Sequence, residues 1–253
     1  MNITFEGKTI LITGATGSLG KQLVHDYYES GASVLVLLDV NEKLEDLKEL
    51  ESEYGNERKV FIFCADFTHI DEVQKVVTEM EENNISVDVL VNNAGINILS
   101  KTNDMDESMW DQVLDINLKG SFFLTKLVGH SSLIANKGNV LFISSQHGVV
   151  GNVMRSAYCA SKSALLGVMR ALTAEWSAFD VRVNSISPTF ILNEKNQEYL
   201  LGAREKRNYL NRIPLHKYAV PSDISSAILF ITSDKAAMIT GHNLIVDGGY
   251  TSI

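Results

Sequence analysis

Proline is scarce in this chain of 253 residues: there are 3. No stretch is rich in Gly and Ser or in Pro, so the chain carries no linker and no low-complexity segment. There are 2 cysteines, Cys64 and Cys159, far apart and without a C-x-x-C pair. That argues against a disulfide framework and favours reduced thiols in a cytoplasmic protein. The 6 histidines form no H-E-x-x-H motif and no Cys/His cluster, so no metal is expected. No apolar run approaches the length of a membrane span, and Met1–Gly7 has neither the basic nor the apolar part of a signal peptide. Basic charge is also short. The formal net charge is −9, without a basic stripe, which disfavours nucleic acid and anionic membrane as partners. The acidic excess falls mostly in 39–57 and 66–82, interleaved with apolar residues at helical spacing, and reads as solvated helix faces.

What is present alternates. Lys8–Thr13 is a short apolar run of the kind buried on both faces in parallel sheets. A glycine-rich turn, Gly14-Ala15-Thr16-Gly17-Ser18-Leu19-Gly20, leads into a helix-periodic stretch that stops at Gly31. Strand, glycine turn and helix can hold a pyrophosphate on the helix N-terminus; the same turn also occurs with no ligand. A second strand, Ser33–Leu38, ends in Asp39, 19 residues after Gly20. An acidic residue there can bond both ribose hydroxyls of an adenosine and repel a 2′-phosphate, which favours NAD over NADP. Asp39 could instead cap the next helix, Asn41–Tyr54. Strands follow at Lys59–Cys64 and Val87–Val91, with Asp66 and the Asn92-Asn93-Ala94-Gly95 turn just past them. Asp66 could meet an adenine edge or cap the helix over 70–80. A long helix over 106–134, kinked near Gly120, carries Asn117 in apolar surroundings.

Gly138–Ile143 is a fifth strand, followed by Ser144-Ser145-Gln146-His147; a helix over 157–179 then holds Tyr158 and Lys162. Their spacing of four puts phenol and ammonium on one helix face. A cation beside a phenol favours the phenolate and suits it to proton exchange with an alcohol or ketone. Val181–Ile186 is a sixth strand, and Asn243–Val246 a last one after a helix over 221–231. Strand–helix alternation predicts a single domain, 1–253: an α/β, doubly wound, Rossmann-type parallel sheet of about seven strands with helices on both faces. Residues 189–213 are polar and irregular, a candidate substrate lid whose Lys195, Arg204, Lys206, Arg207 and Arg212 can meet an anionic group or simply face solvent.

Taken in order from Lys8 to Gly249, these motifs resemble the short-chain dehydrogenase/reductase family. The resemblance rests on Thr13-Gly14 through Gly20, Asp39, Asp66, Asn92 to Gly95, Asn117, Ser145, Tyr158 and Lys162, Pro188, and the ending Ile239-Thr240-Gly241 to Asp247-Gly248-Gly249. It implies an oxidoreductase in which Tyr158 is the acid/base and Lys162 lowers its pKa and holds the nicotinamide ribose. Ser145, 13 residues before Tyr158, would bond the substrate oxygen, and Asn117 would hold a relay water. The cofactor would lie along Gly14, Gly17, Ser18, Leu19, Gly20, Asp39, Asp66, Phe67, Asn93, Ala94, Gly95, Tyr158, Lys162, Pro188 and Ile191. The substrate would meet Ser145, His147 and Tyr158, although a lone histidine is commonly structural. Three positions depart from the family pattern: Ser18 stands where a glycine is usual, Thr189 follows Pro188 in place of glycine, and Asn193 replaces a threonine. The expected reaction interconverts a secondary alcohol and a ketone with NAD, on a sugar or sugar-nucleotide derivative. A 3-oxoacyl-carrier-protein-type reductase and a non-catalytic NAD-binding or assembly protein are the alternatives. The family resemblance also implies a homodimer or homotetramer.

Overall fold

The computed structural model describes residues 3–194, 196–202 and 209–253. Seven strands form one parallel sheet: β1 (Thr9–Thr13), β2 (Val34–Asp39), β3 (Lys59–Cys64), β4 (Val89–Asn92), β5 (Asn139–Ile143), β6 (Arg182–Pro188) and β7 (Asn243–Val246). Their order is β3-β2-β1-β4-β5-β6-β7. The chain therefore winds outward from β1 to β3, crosses back, and continues on the other side of β1. The doubly wound sheet expected from the sequence is present. The register sets Leu11 beside Val36 of β2 and Leu90 of β4. All three side chains are fully buried, as strands covered on both faces require.

The helices divide between the faces. On one lie α1 (Ser18–Glu29), α2 (Leu44–Tyr54) and, near the C-terminus, α9 (Pro221–Thr232), over a core that includes Leu23, Tyr27, Leu47 and Ile228. On the other lie α3 (Ile70–Glu82), α4 (Glu107–Leu114), α5 (Ser121–Val128) and α7 (Ser156–Trp176), over Val73, Val77, Leu124 and Met169. In α3, Val73, Val76, Val77 and Met80 are buried while the carboxylates face outward, the solvated face anticipated for 66–82.

The long helix over 106–134 is broken differently from expectation. Asp106 caps its start, accepting from the Met109 amide at 2.8 Å. It then passes through two π turns, Asp115–Gly120 and Gly129–Leu133, before a last short turn, α6 (Ile134–Asn136). A Cβ at Gly120 would overlap the Phe67 ring, and one at Gly129 the Trp176 indole. Each glycine lets the helix approach a bulky neighbour, so the change in helical pitch sits where packing demands it. Among the described residues, no helix is long and apolar enough to cross a membrane.

The segment 189–213 is described only in part. It includes a short α8 (Gln197–Leu201) and a single tight turn, Leu210–Arg212. Lys195, Arg204, Lys206 and Arg207 lie outside the described residues.

Candidate active site

Sheet order puts the topological switch between β1 and β4, and ligands of such sheets sit at the carboxyl ends of the strands there. Two cavities of about 490 Å³ each open at that edge, and both are lined by Ser18 and Gly95. One is bounded by the glycine turn, the ends of β2 and β3, and the turn after β4. The other lies over β5, β6 and the start of α7.

The first cavity suits a dinucleotide. Gly14 has φ +63°, and a Cβ there would stand 3.0 Å from the Ala94 Cα, so only glycine fits. A Cβ at Gly20 would overlap the Gly14 carbonyl, so Gly20 lets α1 sit close on the turn instead of lining the cavity. Gly17 is the N-cap of α1 and supplies no side-chain cap, and the first turn has no acidic residue. The N–H groups and positive dipole end of α1 are thus left for an anion beside a cavity lined by Gly17, Ser18 and Leu19. Thr13 and Asn93 tie β1 to the turn after β4. The Thr13 hydroxyl accepts from the Asn93 and Ala94 amides at 3.0 and 2.9 Å, and the Asn93 side chain donates to the Thr13 and Gly14 carbonyls.

Asp39 does not cap the following turn, whose N-cap is Val40. One carboxylate oxygen accepts from the Thr16 amide at 3.0 Å and hydroxyl at 2.7 Å, the other from the Val40 amide at 2.9 Å. It faces the cavity, as does Lys43, whose ammonium is held at 3.0 Å by Asp46. Asp66 also lines this cavity and does not cap α3. It closes a small turn by accepting from the Thr68 amide and hydroxyl, and these bonds hold its carboxyl below the usual range against the opposing effect of burial. Phe67 is 4% exposed and shared between the cavity wall and the contact with Gly120.

The second cavity gathers Ser145, His147, Tyr158, Pro188 and Ile191. Ser145 accepts from the His147 amide at 3.1 Å. Ser144 donates instead into α7, to the Lys162 carbonyl at 2.8 Å, a packing bond that leaves Ser145 as the hydroxyl beside the phenol. Burial raises the Tyr158 pKa, while the nearby Ser145 hydroxyl and the charge of Arg155 pull against the rise. Lys162 and Asn117 stand behind Gly95: a Cβ there would lie 3.3 Å from Lys162 Nζ and 3.1 Å from Asn117 Oδ1. Lys162 is buried beside Tyr158 on α7. Its Nζ donates to the Ile143 carbonyl at 2.7 Å and lies 5.8 Å from the Tyr158 ring centroid. Burial lowers its pKa to about 8. The Asn117 carboxamide is committed to the chain: it bonds both the amide and the carbonyl of Ile96 and donates to the Ser161 hydroxyl.

Four further features were not anticipated. Arg155, three residues before Tyr158, is 6% exposed and lines the second cavity. Phe190 and Tyr250 set their rings 5.6 and 6.0 Å from His147, edge to face. Burial first, then the charges of Arg155 and Arg212, push His147 down to about 4, so its ring is neutral near pH 7. Two of the departures from the family pattern meet: the Asn193 side chain donates to the Ser18 hydroxyl at 3.2 Å across the junction of the cavities. Among these, only Arg155 had a local signal, one helical turn before Tyr158. Among the described residues, no group of three or more His, Cys, Asp or Glu is placed to hold a metal.

The glycine turn of this Rossmann-type sheet thus opens into a cleft lined by Ser145 and Tyr158, with Lys162 behind Gly95. Residues 14–251 match the family model described as enoyl-(acyl carrier protein) reductase. The chain belongs to that family, within the short-chain dehydrogenases/reductases. It is 35% identical over 250 residues to the NAD-dependent glycerol dehydrogenase of Listeria innocua, covering 99% of this chain and 95% of that one. It is 34% identical to a 3-oxoacyl-[acyl-carrier-protein] reductase of Thermotoga maritima, covering 96% and 98%. Among solved structures, a candidate NAD(P)-dependent gluconate 5-dehydrogenase from Beutenbergia cavernae, with NADP at low occupancy, superposes with a TM-score of 0.91. It is 28% identical and is covered over its full length.

Proposed function

We propose that this oxidoreductase interconverts a secondary alcohol and a ketone on a small polar substrate, a sugar or polyol derivative, with NAD(H). One observation carries the reading: Tyr158 and Ser145 line a cleft that meets the glycine-turn cavity at Ser18 and Gly95. When bound there, the nicotinamide takes up a hydride from the carbinol carbon or returns it to the ketone. The protein supplies position and the proton. Tyr158 accepts the hydroxyl proton in oxidation and donates it in reduction, a role worth roughly 10²–10⁴-fold in rate. The Ser145 hydroxyl donates to the substrate oxygen and steadies the phenol. A phenol raised by burial is an acid ready for ketone reduction; oxidation needs the nearby cations to favour its phenolate. Lys162, within reach of the floor at Gly95, is one such charge and is the ribose-holding group. Asn117 braces the Ile96 backbone beside it, and the relay-water role falls to its main chain.

Asp39 supports NAD over NADP. Its carboxylate faces the adenosine end of the cavity, and a 2′-phosphate placed there would meet like charge. Among the described residues Lys43 is the one cation of that wall, and Asp46 offsets it. The glycerol and gluconate names among the relatives support a polyol or sugar-acid substrate. The Thermotoga maritima relative supports a second reading, a 3-oxoacyl-carrier-protein reductase. A panel of polyols, hydroxy acids and 3-oxoacyl thioesters, followed by NADH absorbance, decides between them: turnover confined to thioesters would overturn the polyol reading. We also expect a homo-oligomer, to be read by light scattering.

A further inference from the structure

We propose that Arg155 is a carboxylate-recognition residue, so that the substrate of this cleft is a small hydroxy acid and its oxo-acid product. This rests on the dehydrogenase reading given above. Arg155 is the N-cap residue of α7 and is 6% exposed. Its Nε is enclosed and has no hydrogen-bond partner, and no carboxylate pairs with its guanidinium among the described residues. Enclosing one nitrogen of a charged group without a partner is unfavourable. The two terminal nitrogens are not enclosed and are the ones an anion entering the cleft would meet.

The surroundings are arranged for such a guest. The chain has 31 acidic against 22 basic residues, yet no Asp or Glu lies among the residues described on this cleft. α7 starts with no side-chain cap and no acidic residue in its first turn, so its positive end adds to the field of Arg155. His147, the neighbouring titratable group, is neutral near pH 7 and neither competes for the anion nor repels it. Packing alone does not explain the residue. The guanidinium carbon stands 5.9 Å from the Phe190 ring centroid, a distance at the edge of cation–π reach, and an apolar side chain would fill the space without the orphaned nitrogen.

A planar fork matches a carboxylate with two parallel bonds, which favours this group over a point-like anion. Arg155, the N-cap, and Tyr158, in the first turn of α7, both line this one cleft. The carboxylate and the reacting carbinol therefore belong to one small molecule, a few bonds apart.

The test has two arms, each run on wild type, Arg155→Gln and Arg155→Lys with NADH binding measured alongside. In the binding arm, malonate and its dimethyl ester are titrated into the NADH-loaded protein by calorimetry. We expect malonate binding, no ester binding, a loss of about 10–100-fold in Arg155→Gln with NADH affinity retained, and a partial loss in Arg155→Lys. Equal malonate affinity in wild type and Arg155→Gln would overturn the proposal, as would tighter binding of glycerol phosphate than of malonate. In the turnover arm, C4–C6 hydroxy acids are compared with their methyl esters. The acid-to-ester ratio of kcat/KM should exceed about 10 in wild type and collapse toward unity in Arg155→Gln. Comparable ratios in both proteins would contradict it. Arg155-dependent malonate binding with no turnover of any alcohol would leave the site standing and remove the dehydrogenase reading; turnover of neutral polyols with Arg155-independent malonate binding would do the reverse.

Discussion

Lys162 gives the fold a measurable pH signature. The side chain is 4% exposed, and burial lowers its pKa from 10.5 to about 8. Among the described residues its Nζ has one acceptor, the Ile143 carbonyl at 2.7 Å. Below pH 8 the lysine is charged both folded and unfolded, and the fold bears the whole cost of burying the ammonium. Between 8 and 10.5 the unfolded chain binds the proton and the folded one does not, so stability rises with pH. Above 10.5 both are neutral and the cost is gone. At about 1.4 kcal/mol per pH unit, the window is worth roughly 3 kcal/mol. Lys162→Met keeps the length of the side chain and removes the charge. Urea unfolding of both proteins at one fixed concentration, stepped from pH 7.5 to 10.5, reads the difference directly. Wild-type stability should gain on that of the variant by about 3 kcal/mol across the range. A difference that stays flat with pH would refute the reasoning, because it would mean that the ammonium is as well solvated in the fold as in the unfolded chain.

Two other perturbations follow from the same geometry. The Ser18–Asn193 bond joins the glycine turn to the segment after β6, so Ser18→Gly and Asn193→Thr should not be additive. A double-mutant cycle on NADH affinity should give a coupling of about 1 kcal/mol, roughly fivefold in Kd, and a coupling indistinguishable from zero would show that the two positions act apart. Asp39→Ser removes the carboxylate from the adenosine end of the cavity. The ratio of kcat/KM for NAD over NADP should fall by at least tenfold, and an unchanged ratio would remove Asp39 from cofactor choice.

Much of this architecture is legible in the chain because the informative contacts are local. The run from β1 through Gly14 to α1 is a continuous segment, and the spacing from Gly20 to Asp39 is set by one helix and one strand. Tyr158 and Lys162 share a helix face by their spacing alone. Less legible is what each side chain does once the fold closes. The spacing brings the lysine to the phenol's side of the helix but does not show that β5 offers Lys162 the Ile143 carbonyl, a partner 19 residues away. The Ser18–Asn193 bond spans 175 residues, and the aromatic wall of Phe190 and Tyr250 around His147 comes from separate segments near the C-terminal part of the chain. The π turns include two glycines packed against Phe67 and Trp176, contacts set by the partner residues and not by the helix itself. Arg155 was within sight, one turn before Tyr158. Its meaning depends on the absence of a carboxylate, among the described residues, from a cleft whose walls come from five separate stretches.

The central claim is that Tyr158 transfers the proton in a cleft that also holds the cofactor. Tyr158→Phe keeps the ring and deletes one oxygen. Fluorescence titration should find NADH affinity within about twofold of wild type, while single-turnover hydride transfer falls by roughly 10²–10⁴-fold. Hydride transfer at near wild-type rate in that variant, with NADH bound as before, would contradict the account.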